Sequence, residues 1–106
     1  MGLGAASREA LAYVSGQDTR DFWIHFDADV VDDAIMPAVD YRLPGGLSWL
    51  EIEHVLSAAL AHPRAVGMEV TILNPRLDTD GKVLSAFVDM LTRAFARKRE
   101  RTSQPP

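Results

Sequence analysis

The sequence has no cysteine, which excludes disulfides and thiolate metal sites, so any metal must be held by oxygen or imidazole. No apolar run approaches the roughly 18–20 residues of a membrane span. Met1-Gly2-Leu3-Gly4 lacks the basic and apolar regions of a signal peptide. The expected location is therefore cytoplasmic, with no membrane partner. Internal repeats and domain-sized linkers are also missing. What is present suits one small globular core: 106 residues, 47% hydrophobic and 25% charged, both shares ordinary for a globular domain.

The net charge of −4 hides an asymmetry. Arg93, Arg97, Lys98, Arg99 and Arg101 face only Glu100 and give that stretch +4, leaving −8 for the remainder. Cations at the end of a helix complement its macrodipole, and the acidic remainder argues against a nucleic-acid partner. Residues 99–106, ending Ser-Gln-Pro-Pro, are expected to be a flexible basic tail.

Residues 5–15 read as a helix, broken at Gly16-Gln17-Asp18. Phe22-Trp23-Ile24-His25-Phe26 is a short apolar run that suits a strand buried on both faces of a parallel sheet. Residues 27–46 have no clear period and form a long loop, which Pro37, Pro44, Ile35, Met36 and Val39 mark as ordered. Ser48 and Glu51 form a capping box, with Leu47 and Ile52 placed for a hydrophobic staple. Ile52, Val55, Leu56, Ala59 and Leu60 then share a helix face that ends at Pro63. Residues 65–73 read as a second strand and Asn74-Pro75 as a turn. A last helix carries the stripe Leu84, Phe87, Val88, Leu91 and Phe95. Alternation of this kind predicts an α/β fold with parallel strands. Two strands make a poor sheet, with exposed edges and a bare face, so a larger sheet or a partner is expected.

The chemistry-bearing stretch is His25-Phe26-Asp27-Ala28-Asp29-Val30-Val31-Asp32. Asp27 and Asp29 follow an apolar strand, at the end where open α/β sheets place their sites. If the extended chain continues, the two carboxylates point the same way. Their mutual repulsion is relieved by a divalent cation such as Mg²⁺ or Mn²⁺. The dipeptide spacing alone is a weak signal. It also fits haloacid-dehalogenase-type phosphatases, in which the first aspartate is a nucleophile and the second an acid/base. The later segments do not follow that scheme.

Those later segments carry a different resemblance. Phe26-Asp27-Ala28-Asp29-Val30-Val31-Asp32 resembles the Asp-x-Asp-x-x-Asp-Pro signature of the arginase/agmatinase (ureohydrolase) family. Pro37, Pro44-Gly45-Gly46-Leu47-Ser48 and Gly67-Met68-Glu69-Val70 through Asn74-Pro75 follow in the family's order, so the likeness covers roughly residues 20–97. The resemblance implies an incomplete three-layer α/β/α fold with a parallel sheet, and residues 1–98 as the C-terminal part of such a domain. It implies a hydrolase of linear C–N bonds, such as those of guanidines and amidines, that uses two Mn²⁺ ions to activate water. Asp27 would bridge the two ions and Asp29 would bind one. Asp32, matching the third aspartate, would support the loop; His25 lies two residues before Asp27, and its spacing alone suits a packing or hydrogen-bonding residue on that face. The partners implied are a small-molecule substrate and either a missing N-terminal half or further copies in a homo-oligomer.

The sequence departs from the pattern in three places. The family's remaining ligands, a His and an Asp-x-His-x-Asp cluster, have no counterpart, since His25, His54 and His62 stand apart. Ile72 occupies the position of the glutamate that grips the substrate's guanidinium. Glu69 and Thr71 are left as substrate-side candidates, and an amidine, amide or modified guanidine as the substrate class. Asp33 replaces the signature's proline. The expectation is a fragment inactive without further ligands, with two alternatives: a non-catalytic remnant or edge-packing partner subunit, and an Asp-x-Asp phosphatase of the haloacid dehalogenase type with Asp27 as nucleophile.

Overall fold

In a computed structural model, the described residues are 2–16, 21–40 and 42–103, with side chains described through 96. The order is α1 (Leu3–Ser15), β1 (Phe22–Asp27), α2 (Trp49–Ala61), β2 (Ala65–Thr71) and α3 (Lys82–Ser103), with 3₁₀ turns at Ala28–Val30 and Pro75–Leu77. β1 and β2 form a two-stranded parallel sheet, and α2 packs against both α1 and α3. This is the expected α/β arrangement. No helix among the described residues is long and apolar enough to cross a membrane.

The helix signals act as their chemistry requires. The Ser48 hydroxyl accepts from the Glu51 N–H while the Glu51 carboxylate accepts from the Ser48 N–H, completing the capping box. At the far end His62 is extended (φ −67°, ψ 133°), as the residue before a proline must be. The carboxylate of Asp78 accepts from the N–H groups of Val83 and Leu84, satisfying donors at the start of α3. α3 runs on through residues 99–103. The stretch from Arg97 to Arg101 is built from good helix formers, and cations suit a helix C-terminus. Residues 104–106 lie outside the described residues.

Two packing expectations also change. The buried stripe of α3 is Phe87, Met90 and Ala94, with Val83 and Leu91 alongside, whereas Val88 and Phe95 are exposed. The contact face is centred on the i, i+3, i+7 line through Phe87 and so lies partly beside the expected stripe. β1 is covered on one face only. Ile24 and Phe26 turn toward the helices, whereas Trp23 on the opposite face is 58% exposed and lies flat over Gly67. α2 makes the main helix contacts, and Phe87 of α3 also meets Phe26 of β1, so the described helices lie on one side of the sheet.

The long loop is ordered because it buries its own apolar residues. Val31, Met36, Ala38 and Val39 are all in the core, beside Phe26, Ile52, Leu56 and Phe87. Each fully buried large side chain contributes about 1.5–3 kcal/mol. The loop is also stitched to the segment before α2. Leu47 N–H donates to the Val30 carbonyl at 2.8 Å and Asp32 N–H to the Leu47 carbonyl at 2.9 Å. Gly45 turns this corner at φ +84° in open space, and Gly46 lets two backbones touch. A Cβ on Gly46 would lie 2.5 Å from the Asp32 nitrogen and 2.6 Å from the Val31 carbonyl carbon.

Gly46→Ala should therefore cost about 1–3 kcal/mol, because backbone must move. Gly45→Asn should cost less than 1 kcal/mol, since asparagine tolerates a left-handed backbone. Urea unfolding followed by circular dichroism measures both. Equal losses would show that the close approach at Gly46 is not what limits that position.

Candidate metal centre

Asp27 is the last residue of β1, and its backbone (φ −90°, ψ 124°) is still extended. The chain then tightens into the Ala28–Val30 turn rather than continuing as a strand. Asp29 is therefore not related to Asp27 by strand alternation as expected. It projects from the first turn of a 3₁₀ segment whose Ala28 is buried and whose C-terminal end is held by the bridge between Val31 and Leu47. Both aspartates remain at the carboxyl end of the sheet and partly accessible. Asp32 faces the loop: its Oδ1 accepts the Gly45 N–H at 3.2 Å.

The parallel register adds contacts that spacing within one strand could not show. It sets His25 opposite Glu69 and Asp27 opposite Thr71. His25 Nδ1 lies 2.8 Å from Glu69 Oε1, and His25 Nε2 lies 2.6 Å from Asp27 Oδ1. The Thr71 hydroxyl donates to the same Asp27 oxygen. A carboxylate at each ring nitrogen favours the protonated imidazole, in which both nitrogens can donate. The four side chains form one hydrogen-bonded row across the uncovered sheet face.

The electrostatics follow from that row. The hydrogen bond to Glu69, and then that to Asp27, raise the pKa of His25 above its ordinary value. The Thr71 hydroxyl, and then the His25 ring, hold the Asp27 carboxyl below the usual range. Asp27 is thus prepared as an anion, the state a metal ligand needs.

β2 ends abruptly. Ile72 adopts φ +75°, a left-handed backbone that is rare for a β-branched residue and costs about 1–3 kcal/mol. Its side chain is 46% exposed, next to Thr71. The chain beyond is pinned by a bridge between Val39 and Leu73, by Asn74 N–H to the Ala38 carbonyl at 2.8 Å, and by Asn74 Nδ2 to Asp40 Oδ1 at 2.8 Å. No feature of the sequence announced this strain, because it is imposed by loop contacts from a distant segment.

The other histidines are elsewhere. The His62 ring meets Phe22 at a tilt and accepts the Arg64 N–H, and His54 is exposed on α2 beside Gly4. Among the described residues no group of three or more His, Asp or Glu side chains could hold a metal ion. Asp27 and Asp29 thus fit a hard divalent cation in kind, as oxygen donors, but not in number.

Comparison with known proteins places this geometry. The profile of the Arginase family matches residues 1–96. An arginase of Brucella melitensis is 27% identical over 96 residues, covering 91% of this chain and 31% of the relative. The N(1)-aminopropylagmatine ureohydrolase of Thermus thermophilus is 38% identical over 53 residues, covering 50% of this chain and 18% of that protein. The crystal structure of formimidoylglutamase from Bacillus subtilis superimposes with a TM-score of 0.78 at 26% identity, over 87% of this chain and 28% of the other. The chain thus spans less than a third of the length of each. The phosphatase reading of Asp27 and Asp29 gains nothing from a match of this kind.

The hydrogen-bonded row makes a pH-dependent contribution of definite sign. A raised His25 pKa means a stabilising effect present below the ring's unfolded value and lost as pH rises through the folded one. A depressed Asp27 pKa means one lost as pH falls through its folded value. The row is complete between those limits. An NMR titration of the His25 ring should give a midpoint above that of free histidine, and Glu69→Gln should lower it. Both side chains are about half exposed, so added salt should shrink the shift. A midpoint unmoved by Glu69→Gln would contradict the pairing.

Proposed function

The chain belongs to the arginase family, and on that premise we propose that it contributes Asp27 and Asp29 to the metal centre of a hydrolase of linear C–N bonds. The observation carrying this is the position of the two carboxylates at the sheet's carboxyl end, Asp27 held as an anion by Thr71 and His25. Divalent ions bound there, Mn²⁺ by resemblance, would supply Lewis acidity and a water of lowered pKa. The chain's own residues orient that chemistry. Thr71 and His25 fix the Asp27 carboxylate, Asp32 accepts from Gly45 to hold the loop, and Asp29 presents a carboxylate that meets no hydrogen-bonding partner among the described residues. Two donors do not complete a binuclear site, so the chain alone is inactive in this reading, with further ligands coming from additional polypeptide.

The substrate reading follows from Ile72. An exposed apolar side chain on a strained backbone beside Thr71 supplies no charge to a guanidinium there, and burying that cation without a partner would be costly. This favours an amide, or an amidine or guanidine modified so that it carries no charge at that position. The names of the relatives, arginase, N(1)-aminopropylagmatine ureohydrolase and formimidoylglutamase, fit a family whose substrates vary.

A second reading, a partner subunit that packs through its sheet, is favoured by the bare face around Trp23. It is also favoured by the apolar cavity of about 230 Å³ along β1 and α2, lined by Ile24, Phe26, Val30 and Leu47 among others.

Calorimetric titration with Mn²⁺ tests the first reading. The intact chain should bind weakly and saturably, Asp27→Ala/Asp29→Ala should abolish the heat, and no urea should form from L-arginine. Binding that survives the double substitution would defeat the assignment of these ligands, and urea release by the chain alone would defeat the claim of an incomplete site.

A further inference from the structure

We infer that His25 is a positioning residue: anchored by Glu69, it fixes the rotamer of Asp27 so that Oδ2 is the oxygen left for a metal ion. The inference takes its functional meaning from the reading of Asp27 as a ligand.

Two donors converge on one oxygen. Asp27 Oδ1 receives the Thr71 hydroxyl from β2 and the ring N–H of His25 from two residues back on its own strand. No hydrogen bond to Oδ2 is found among the described residues. A carboxylate at a strand end, 40% exposed, would otherwise sample several staggered wells about χ1. Two hydrogen bonds to a single oxygen, one of them charge-assisted, select one well.

His25 needs an anchor of its own. Its side chain is 52% exposed and turns about two bonds, so a contact to Asp27 alone would be easily lost to water. Glu69 supplies the anchor from the neighbouring strand through Nδ1 at 2.8 Å, and the register sets it directly opposite. The support thus begins on β2 at Glu69, crosses to β1 through His25 and Asp27, and returns to β2 through Thr71. Glu69 is committed to the imidazole in this arrangement and acts on the site through His25 rather than by touching substrate.

The test is made on the metal-free 106-residue chain. Three-bond couplings from Asp27 Cγ to its backbone nitrogen and carbonyl carbon report the χ1 population. Wild type should show one rotamer, His25→Ala and Glu69→Ala should show averaged couplings, and His25→Gln, which keeps an N–H at the reach of Nε2, should restore one rotamer. Averaged couplings in wild type, or a single rotamer persisting in His25→Ala, would overturn the inference. Because both side chains are half exposed, neither removal disturbs the core, and Glu69→Ala provides the reading should His25→Ala misfold. A Mn²⁺ titration of the same samples should show affinity falling about 10- to 100-fold in His25→Ala. Unchanged affinity beside averaged couplings would also overturn it. A wild type that binds no Mn²⁺ yet shows the expected couplings would sink the metal reading while leaving the positioning intact.

Discussion

The parallel pairing of β1 with β2 is the constraint on which the rest of the site depends. It turns Ile24 and Phe26 into the helical layer and leaves His25 and Asp27 on the other face, opposite Glu69 and Thr71. A slip of one residue would exchange the two sets, burying the charged row and exposing the apolar one. The apolar side chains therefore hold the register, and the register assembles the polar row. Stability and chemistry are coupled through one strand pair, because the row that supports the Asp27 carboxylate rests on the packing of Phe26 beneath it.

The loop after β1 is governed by a second contact of the same kind. Gly46 lets the segment before α2 lie against Val31 and Asp32, so the turn bearing Asp29 is held there and, at its start, by the pairing of Asp27 with Thr71. The loop's buried residues supply the apolar free energy, and Gly46 supplies the room. A long loop can thus carry ligands with little freedom, without regular secondary structure of its own.

Much of this was readable from the residues. The capping box at Ser48, the stop at Pro63, the parallel strands and the ordered loop all follow from local chemistry that tertiary structure did not override. So did the order of motifs that marks the arginase family. Four features were not readable. The bend at Ala28–Val30 broke the strand alternation inferred for Asp27 and Asp29, because a buried Ala28 and the bridge to Leu47 outweigh extension. The exposure of Val88 and Phe95 depends on which line of α3 meets α2. The pairings of His25 with Glu69 and of Asp27 with Thr71 depend on register between strands some forty residues apart, which no pattern within either strand encodes. Ile72 belongs with these, since its strained backbone is imposed by contacts at Ala38, Val39 and Asp40.

The central claim is that divalent metal is drawn to the carboxyl end of β1 by Asp27 and Asp29. Paramagnetic line broadening by substoichiometric Mn²⁺ in a ¹⁵N-labelled chain tests it most directly. The account predicts that amide signals vanish first from Asp27 to Val31 and from Thr71 to Leu73, and that Asp27→Asn abolishes the effect there. Broadening centred instead on the other acidic surface groups, such as Asp78 and Asp80, or spread evenly over the chain, would contradict it.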